Sequence, residues 1–364
     1  MKQNLKFASH QQEFFATLSQ RVNQYFKTNG IERTANFEMV FKTIFMFLLY
    51  FIPYFFAMSG AVTNKWSLFM LCIVMGLGLA GIGLSVMHDA NHGAYSNKAW
   101  VNNLLGFSLN LVGGHAFNWK VQHNVLHHTY TNVHEVDEDI SPRGVLRMAP
   151  TSKWLPIHRY QHVYAWIFYG LMTFVWVLVK DFSRLIKYEK EGLVSRNKST
   201  AAAEWTTMLF SKLLYFGYII ALPMLVLPVA WWQVLIGFFV MHYVAGFILA
   251  IIFQPAHVVD GTEYPMPDGE GKLENNWAIH QLLTTTNFGH KEKLFSWYVG
   301  GLNYQVEHHL FPNVCHVHYS KLAKIVEETA TEFGLPYKTK ERFWDALVAH
   351  TKQLKMLGAK PLVV

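Results

Sequence analysis

Histidine is the residue type in this chain whose spacing could do chemistry. It recurs as His88-Asp-Ala-Asn-His92, as His123-Asn-Val-Leu-His127-His128 and as Gln305-Val-Glu-His308-His309, while His257 closes a long apolar run as His88 does. Neutral imidazole is a good ligand for divalent first-row metals, and by itself it does not choose among iron, zinc, copper and nickel. On a helix, residues four apart share a face within about 6 Å, so His88 and His92 can hold one ion together. Adjacent side chains diverge by about 100°, so His127/His128 and His308/His309 can each reach two neighbouring ions. These eight imidazoles are too many for one ion and suit a pair.

Such ligands need elements that bring them to one place. Four apolar stretches are long enough to cross a bilayer core, which takes about 20 residues of helix. They fall near Thr43–Thr63, Ser67–Met87, Leu213–Leu227 with its flanks, and Trp231–Phe253. The links at Asn64-Lys65 and Pro228 are short and nearly uncharged, whereas the other loops hold most of the Lys and Arg. By the positive-inside rule both termini and the long central loop are then cytoplasmic. A fifth stretch, Val163–Val179, has basic residues on both flanks, and a single crossing there would separate the second histidine cluster from the third. It reads as an in-plane or re-entrant helix, as does Trp100–Phe117, which Gly106, Gly113 and Gly114 interrupt. With both the second and fourth spans running toward the cytoplasm, His88 and His257 emerge on one side, and the metals are expected just above that surface.

Composition agrees with a membrane core under an aqueous cap: 52% hydrophobic residues and only 15% charged ones are too apolar for an ordinary soluble domain. The net charge of +7 is spread over segments flanking apolar runs, which suits anionic lipid and, with no recognition motif present, excludes nucleic acid as the expected partner. Cys72 and Cys315 make neither a disulfide framework nor a zinc site. In the first 36 residues, Phe14, Phe15, Leu18, Val22 and Phe26 recur at helical spacings, which reads as an amphipathic helix on the membrane surface or against the cap, with a partly ordered tail as the other reading.

The run Gly300-Gly301-Leu-Asn-Tyr-Gln-Val-Glu-His-His-Leu-Phe-Pro312, together with the other two clusters, resembles the integral-membrane fatty acid desaturases, and most nearly their front-end branch. The likeness runs from about Phe37 to Tyr319. It implies an all-α membrane protein: four transmembrane helices with a cytoplasmic helical cap holding a histidine-rich di-iron site. It divides the chain into an amphipathic segment (1–36), a desaturase domain (37–319) and a C-terminal helical segment (320–364). It implies His88, His92, His123, His127, His128, His257, His308 and His309 as ligands of two iron ions, with O2 as co-substrate. Gln305 stands where many members have a ninth histidine and is expected as a weak ligand or as a holder of bound water. Asp137 and Asp139 have two readings, as orienters of ligand imidazoles and as solvated loop acids.

The implied reaction inserts a cis double bond into a long acyl chain carried on coenzyme A or on a lipid. The first 36 residues are too short for a fused cytochrome b5 domain, and its His-Pro-Gly-Gly signature is absent. Electrons are therefore expected from a separate ferredoxin or cytochrome b5 type donor, at a bacterial inner membrane. His242, Thr285 and Asn287 are expected along the substrate tunnel, His242 having a second reading as a neutral imidazole bonded to a neighbouring helix. His115, His134, His158, His162, His316 and His318 read as ordinary hydrogen-bonded residues, and Lys321, Lys324, Lys338 and Lys340 as solvated faces. Two other functions remain open: a hydroxylase on the same scaffold, and a membrane metal transporter or sensor. The last predicts ionisable ligands inside the spans, where only His242 lies.

Overall fold

The computed structural model describes residues 5–140 and 144–361. Among them, four helices are long and apolar enough to cross a membrane: Phe37–Met58, Lys65–Asn91, Ala201–Val226 and Trp231–His257. The third begins about three turns before Leu213. Thr200 accepts the Ala203 N–H to cap it, and Lys212, whose charge interrupts the apolar run, is buried and paired inside. The stretch around Val163–Val179 is a helix pair, Pro156–Gly170 and Met172–Lys190, bent by 60°. Trp100–Phe117 breaks into the helices Ala99–Gly106, Ser108–Leu111 and the start of Ala116–Lys120, with turns near the glycines.

The chain divides into two compact units, one formed from residues 1–35, 122–165 and 252–364 and the other from 36–121 and 166–251. In the second unit the spans differ in enclosure. Only 39% and 28% of the apolar windows of the first and third are buried, against 61% for the second, so the second is the packed centre and the others turn Phe55, Leu213 and Leu225 outward. Glycine permits that packing: a Cβ on Gly78 would lie 2.6 Å from Tyr50 N, and one on Gly76 would lie 2.7 Å from Met241 O. Small residues at such crossings let backbones approach where the surroundings offer no hydrophobic drive.

Polar groups inside this unit are tied. The Lys212 ammonium donates to Asp181 Oδ2, Gly113 O and Val177 O, each at 2.8 Å, and Trp176 Nε1 donates to Asp181 Oδ1 at 2.9 Å. His242, fully buried, bonds Tyr215 OH through Nε2 at 2.7 Å and Thr173 Oγ1 through Nδ1 at 3.2 Å. Of its two readings from sequence, this geometry shows the hydrogen bonds of the bonded imidazole.

The first unit gathers both ends of the chain around its centre. The helix Glu13–Asn29 buries Phe14, Leu18, Val22 and Phe26 in one core with Leu322, Val326 and Ala330 of the helix Tyr319–Glu332. Arg21 forms a bidentate pair with Glu332 beside it. The amphipathic stripe therefore faces the cap. At the other end, the helix Phe343–Gly358 accepts Arg147 Nη1 at Leu357 O (2.6 Å), and its His350 donates to Val258 O (2.6 Å). Lys338 donates to Leu283 O and Lys340 pairs with Asp260, so these two are not plain solvated faces. Two short parallel strand pairs, Lys6–Phe7 with Lys272–Leu273 and Asn287–Phe288 with Thr339–Lys340, fasten the ends.

The buried Lys212–Asp181 pair gives a test of this frame. Lys212→Met leaves a buried carboxylate without its cation and is expected to cost about 3–5 kcal/mol, whereas replacing both partners with apolar residues restores most of it. Thermal melts of the two variants in detergent check the difference.

Candidate metal centre

The second cluster lies on an unusual backbone. Val121–His127 is a π-helix, in which the His128 N–H reaches His123 O, five residues back, at 2.9 Å. The wider turn brings His128 over His123, and their Nε2 atoms are 3.2 Å apart. An α-helix would have set these two residues well apart in angle. His127, one residue earlier, stacks on His123 with ring centres 5.2 Å apart.

The third cluster sits on the six-residue helix Gln305–Leu310. It is reached through Gly300 and Gly301, both at positive φ (64° and 63°), a pair of left-handed residues that glycine adopts without strain. Asn287 Oδ1 accepts the Val306 N–H at 2.8 Å and so caps the first turn. Asn287 Nδ2 and Tyr337 OH both donate to the carboxylate of Glu307, at 2.9 and 3.0 Å. Burial pushes the Glu307 carboxyl up to about 7, against these two hydrogen bonds, which favour its ionised form. Asn287, expected along a tunnel, holds this helix. Thr285 donates to Gln281 O.

Six of the eight expected ligands meet in the first unit as two groups of three. His128 Nε2 lies 2.9 Å from His308 Nε2 and 3.2 Å from His123 Nε2. Two imidazole nitrogens bound at about 2.1 Å and at right angles on one ion stand about 3.0 Å apart, so this is ligand spacing. In the second group, ring nitrogens of His127, His257 and His309 lie within 4.8 Å of one another. Adjacent histidines are split between the groups: His127 and His128, and likewise His308 and His309. The remaining two, His88 and His92, belong to the other unit, where their ring centres are 4.8 Å apart and Trp119 packs against both at 5.5 Å.

The second group shows how the imidazoles are aimed. His127 Nδ1 bonds Asp137 Oδ2 at 3.0 Å, His257 Nδ1 bonds Thr284 O at 3.2 Å, and His309 Nδ1 bonds Gln281 Oε1 at 2.8 Å. Each Nδ1 faces an oxygen that can only accept, which places the ring proton there and the lone pair on Nε2. His257 Nε2 and His309 Nε2 are buried with no hydrogen-bond partner. Buried acceptors without donors are costly, and a divalent cation is the partner that this donor set fits.

The electrostatics differ across the group. Burial and the surrounding imidazoles hold His309 well below its ordinary value, so it is neutral, as a ligand must be. Burial also works against a charge on His127, but the Asp137 and Asp139 carboxylates outweigh it and raise that residue. Asp139 Oδ2 stands 3.6 Å from His127 Nδ1 and 4.0 Å from His123 Nδ1, while its other oxygen accepts Gln122 Nε2. Gln305 is buried and donates Nε2 to Leu302 O at 2.7 Å.

Sequence reasoning missed three supports. Gln281 accepts from both His309 and Thr131 and donates to His128 O at 3.2 Å, bracing both groups. Asn132, at a positive φ of 60°, donates its N–H to Asp137 and its side-chain amide to His257 O and Glu263 O. Tyr319 OH bonds His308 Nδ1 at 3.2 Å. The polar run Thr284-Thr285-Thr286-Asn287 reads from sequence as a place for substrate contacts, and nothing in it names these partners.

Residues 64–341 match the family described as fatty acid desaturase. The chain is 36% identical to the sn-1 linoleoyl-lipid 6-desaturase of Synechocystis sp. over 98% of both proteins. It is 39% identical to an acyl-lipid (8-3)-desaturase of Physcomitrium patens, covering 98% of this chain and 74% of that protein. It is 33% identical to the sn-1 linoleoyl-lipid 6-desaturase of Arthrospira platensis, covering 96% and 93% respectively.

If Gln281 orients His309, then Gln281→Leu removes the acceptor for its Nδ1–H and lowers affinity for a divalent metal by about 10- to 100-fold, the usual weight of such a support. Titration of the metal-free protein with Fe(II), with bound metal counted per chain, reads this directly. Unchanged affinity would mean that Gln281 serves packing only.

Proposed function

This chain belongs to the fatty acid desaturase family, and we propose that it inserts a cis double bond into a long acyl chain of a membrane lipid at a centre of two iron ions, with O2 as co-substrate. The observation that carries the reading is the pair of three-histidine groups, found in a chain of this family. His123, His128 and His308 are the proposed ligands of one ion and His127, His257 and His309 those of the other. His88 and His92 complete the set, with Gln305 as a weak ligand or water holder. The bound ions supply the oxidising power toward unactivated C–H bonds that side-chain acids and bases lack.

The balance of the reaction sets what else is required. Two hydrogens leave adjacent carbons, O2 takes up their electrons and protons together with two electrons and two protons from outside, and two waters form. An external donor of ferredoxin or cytochrome b5 type supplies those electrons. The chain's own part is positional. Asp137, Thr284 and Gln281 keep the ring protons on Nδ1, and Tyr319 braces His308. The buried walls around the rings exclude water from the oxidising step.

Relatives named for acyl-lipid substrates support a lipid-borne chain over the coenzyme A ester, and their 6- and (8-3)-specificities support a bond placed toward the carboxyl end of an unsaturated chain. The distribution of Lys and Arg supports histidine-bearing span ends and termini on the cytoplasmic side.

Expression in a host lacking the activity, followed by gas chromatography and mass spectrometry of its lipids, tests the reading. New cis-unsaturated acids are expected, and His127→Ala removes them while the protein still inserts in the membrane. Hydroxylated acids in their place would move the assignment to a hydroxylase.

A further inference from the structure

The membrane unit holds a cavity whose lining residue Phe238 packs on His242, 4.6 Å between ring centres, and which lies away from His88. Its volume is about 430 Å³, and all four spans line it, through Ala57 on the first, Lys65 and Met75 on the second, Pro223 on the third and Met241 on the fourth. Met75 precedes His88 by thirteen residues on one span, about 20 Å along the helix axis. The cavity thus sits at the opposite end of the spans, beside the short links at 59–64 and 227–230. At about 30 Å³ for a group the size of a water molecule, it has room for about fourteen such groups, a large part of one acyl chain.

Its wall is aliphatic and aromatic, and Lys65 is the one charge in it. Neither adjoining link contains Asp or Glu, and among the described residues no carboxylate pairs with Lys65. A cation in the first turn of a helix lies against the positive end of the helix dipole, so its position favours a nearby anion. Trp66 and Trp232 flank the cavity at 78% and 49% exposure, the placement of indoles at a membrane–water boundary.

We propose that this cavity is a structural lipid site: it takes one acyl chain of a membrane phospholipid, whose phosphate lies against the Lys65 ammonium. A long apolar hollow with a single unpaired cation at its mouth matches an amphiphile with an apolar tail and an anionic head. With its phosphate held by Lys65, this occupant is a second lipid, bound from the end of the spans away from His88. It fills a void between helices that would otherwise lack packing partners.

The full chain is purified in mild detergent, stripped of lipid by exchange, and titrated with phosphatidylglycerol under native mass spectrometry. One lipid per chain is expected. Lys65→Gln weakens binding by about fivefold, the weight of one lysine against an anionic headgroup, and Ala57→Phe, which fills the wall, abolishes it. Phosphatidylglycerol raises the melting temperature of the wild type and of Lys65→Gln more than that of Ala57→Phe. Should Ala57→Phe fail to fold, the Lys65→Gln titration carries the test. No bound lipid at saturation, or equal binding by all three proteins, overturns the proposal. A shift in product chain length in Ala57→Phe also overturns it, because the cavity would then hold the tail of the reacting chain.

Discussion

An imidazole has two nitrogens and, when neutral, one proton, and the centre depends on where that proton is held. At His127, His257 and His309 an oxygen acceptor fixes it on Nδ1. The far nitrogens are then committed as lone pairs, and they are turned toward one another in a dry interior. Such an arrangement is unfavourable by itself, because buried acceptors face acceptors. A divalent cation would reverse the sign of the interaction, which is why this donor set fits one. The low basicity of His309 follows from the same cause, since a proton there would meet neighbouring imidazoles and little solvent.

Holding lone pairs in opposition demands a backbone that cannot relax. The helix Gln305–Leu310 is far too short to be stable alone. Its rigidity comes from Asn287 on the Val306 N–H, from Tyr337 and Asn287 on Glu307, and from Tyr319 on His308. Tyr337 lies just before Thr339–Lys340, which pairs with Asn287–Phe288. The C-terminal segment is therefore part of the support for the third cluster. The N-terminal helix has a comparable place, because Phe14 through Phe26 bury the outer face of the helix that begins at Tyr319. Burying each such side chain contributes about 1.5–3 kcal/mol toward holding the segment in place.

Much of this was legible in the residues. Long apolar runs marked the four membrane helices, and the i, i+4 stripe from Phe14 to Phe26 marked the amphipathic helix and left open which surface it would cover. The start of the third span was misjudged because Lys212 interrupts the apolar run, and a partner 31 residues away cannot be seen from composition. The π-helix at Val121–His127 was not legible either. Its hydrogen-bond pattern has no residue signature, and assuming a regular α-helix would separate His123 from His128. Gln281 and Asn132 were missed for a third reason. Their partners lie 28 and 125 residues off, and a lone amide in a polar run looks like any other.

The ligands of an oxidising centre decide that a C–H bond is attacked, but they do not decide which one. A hydroxylase and a desaturase can share every imidazole, so the outcome depends on the groups that set the depth and bend of the substrate chain. The polar run before the third cluster was the natural place to look for them. In the structure that run is engaged otherwise: Thr284 O accepts from His257, Thr285 donates to Gln281 O, and Asn287 is committed to Val306, Glu307 and Tyr337. Each of these contacts supports an imidazole or the short helix that carries two of them. A substitution there would disturb the metal before it moved the substrate. An apolar wall differs in this respect, because its shape can change by a methyl group without loosening these hydrogen bonds.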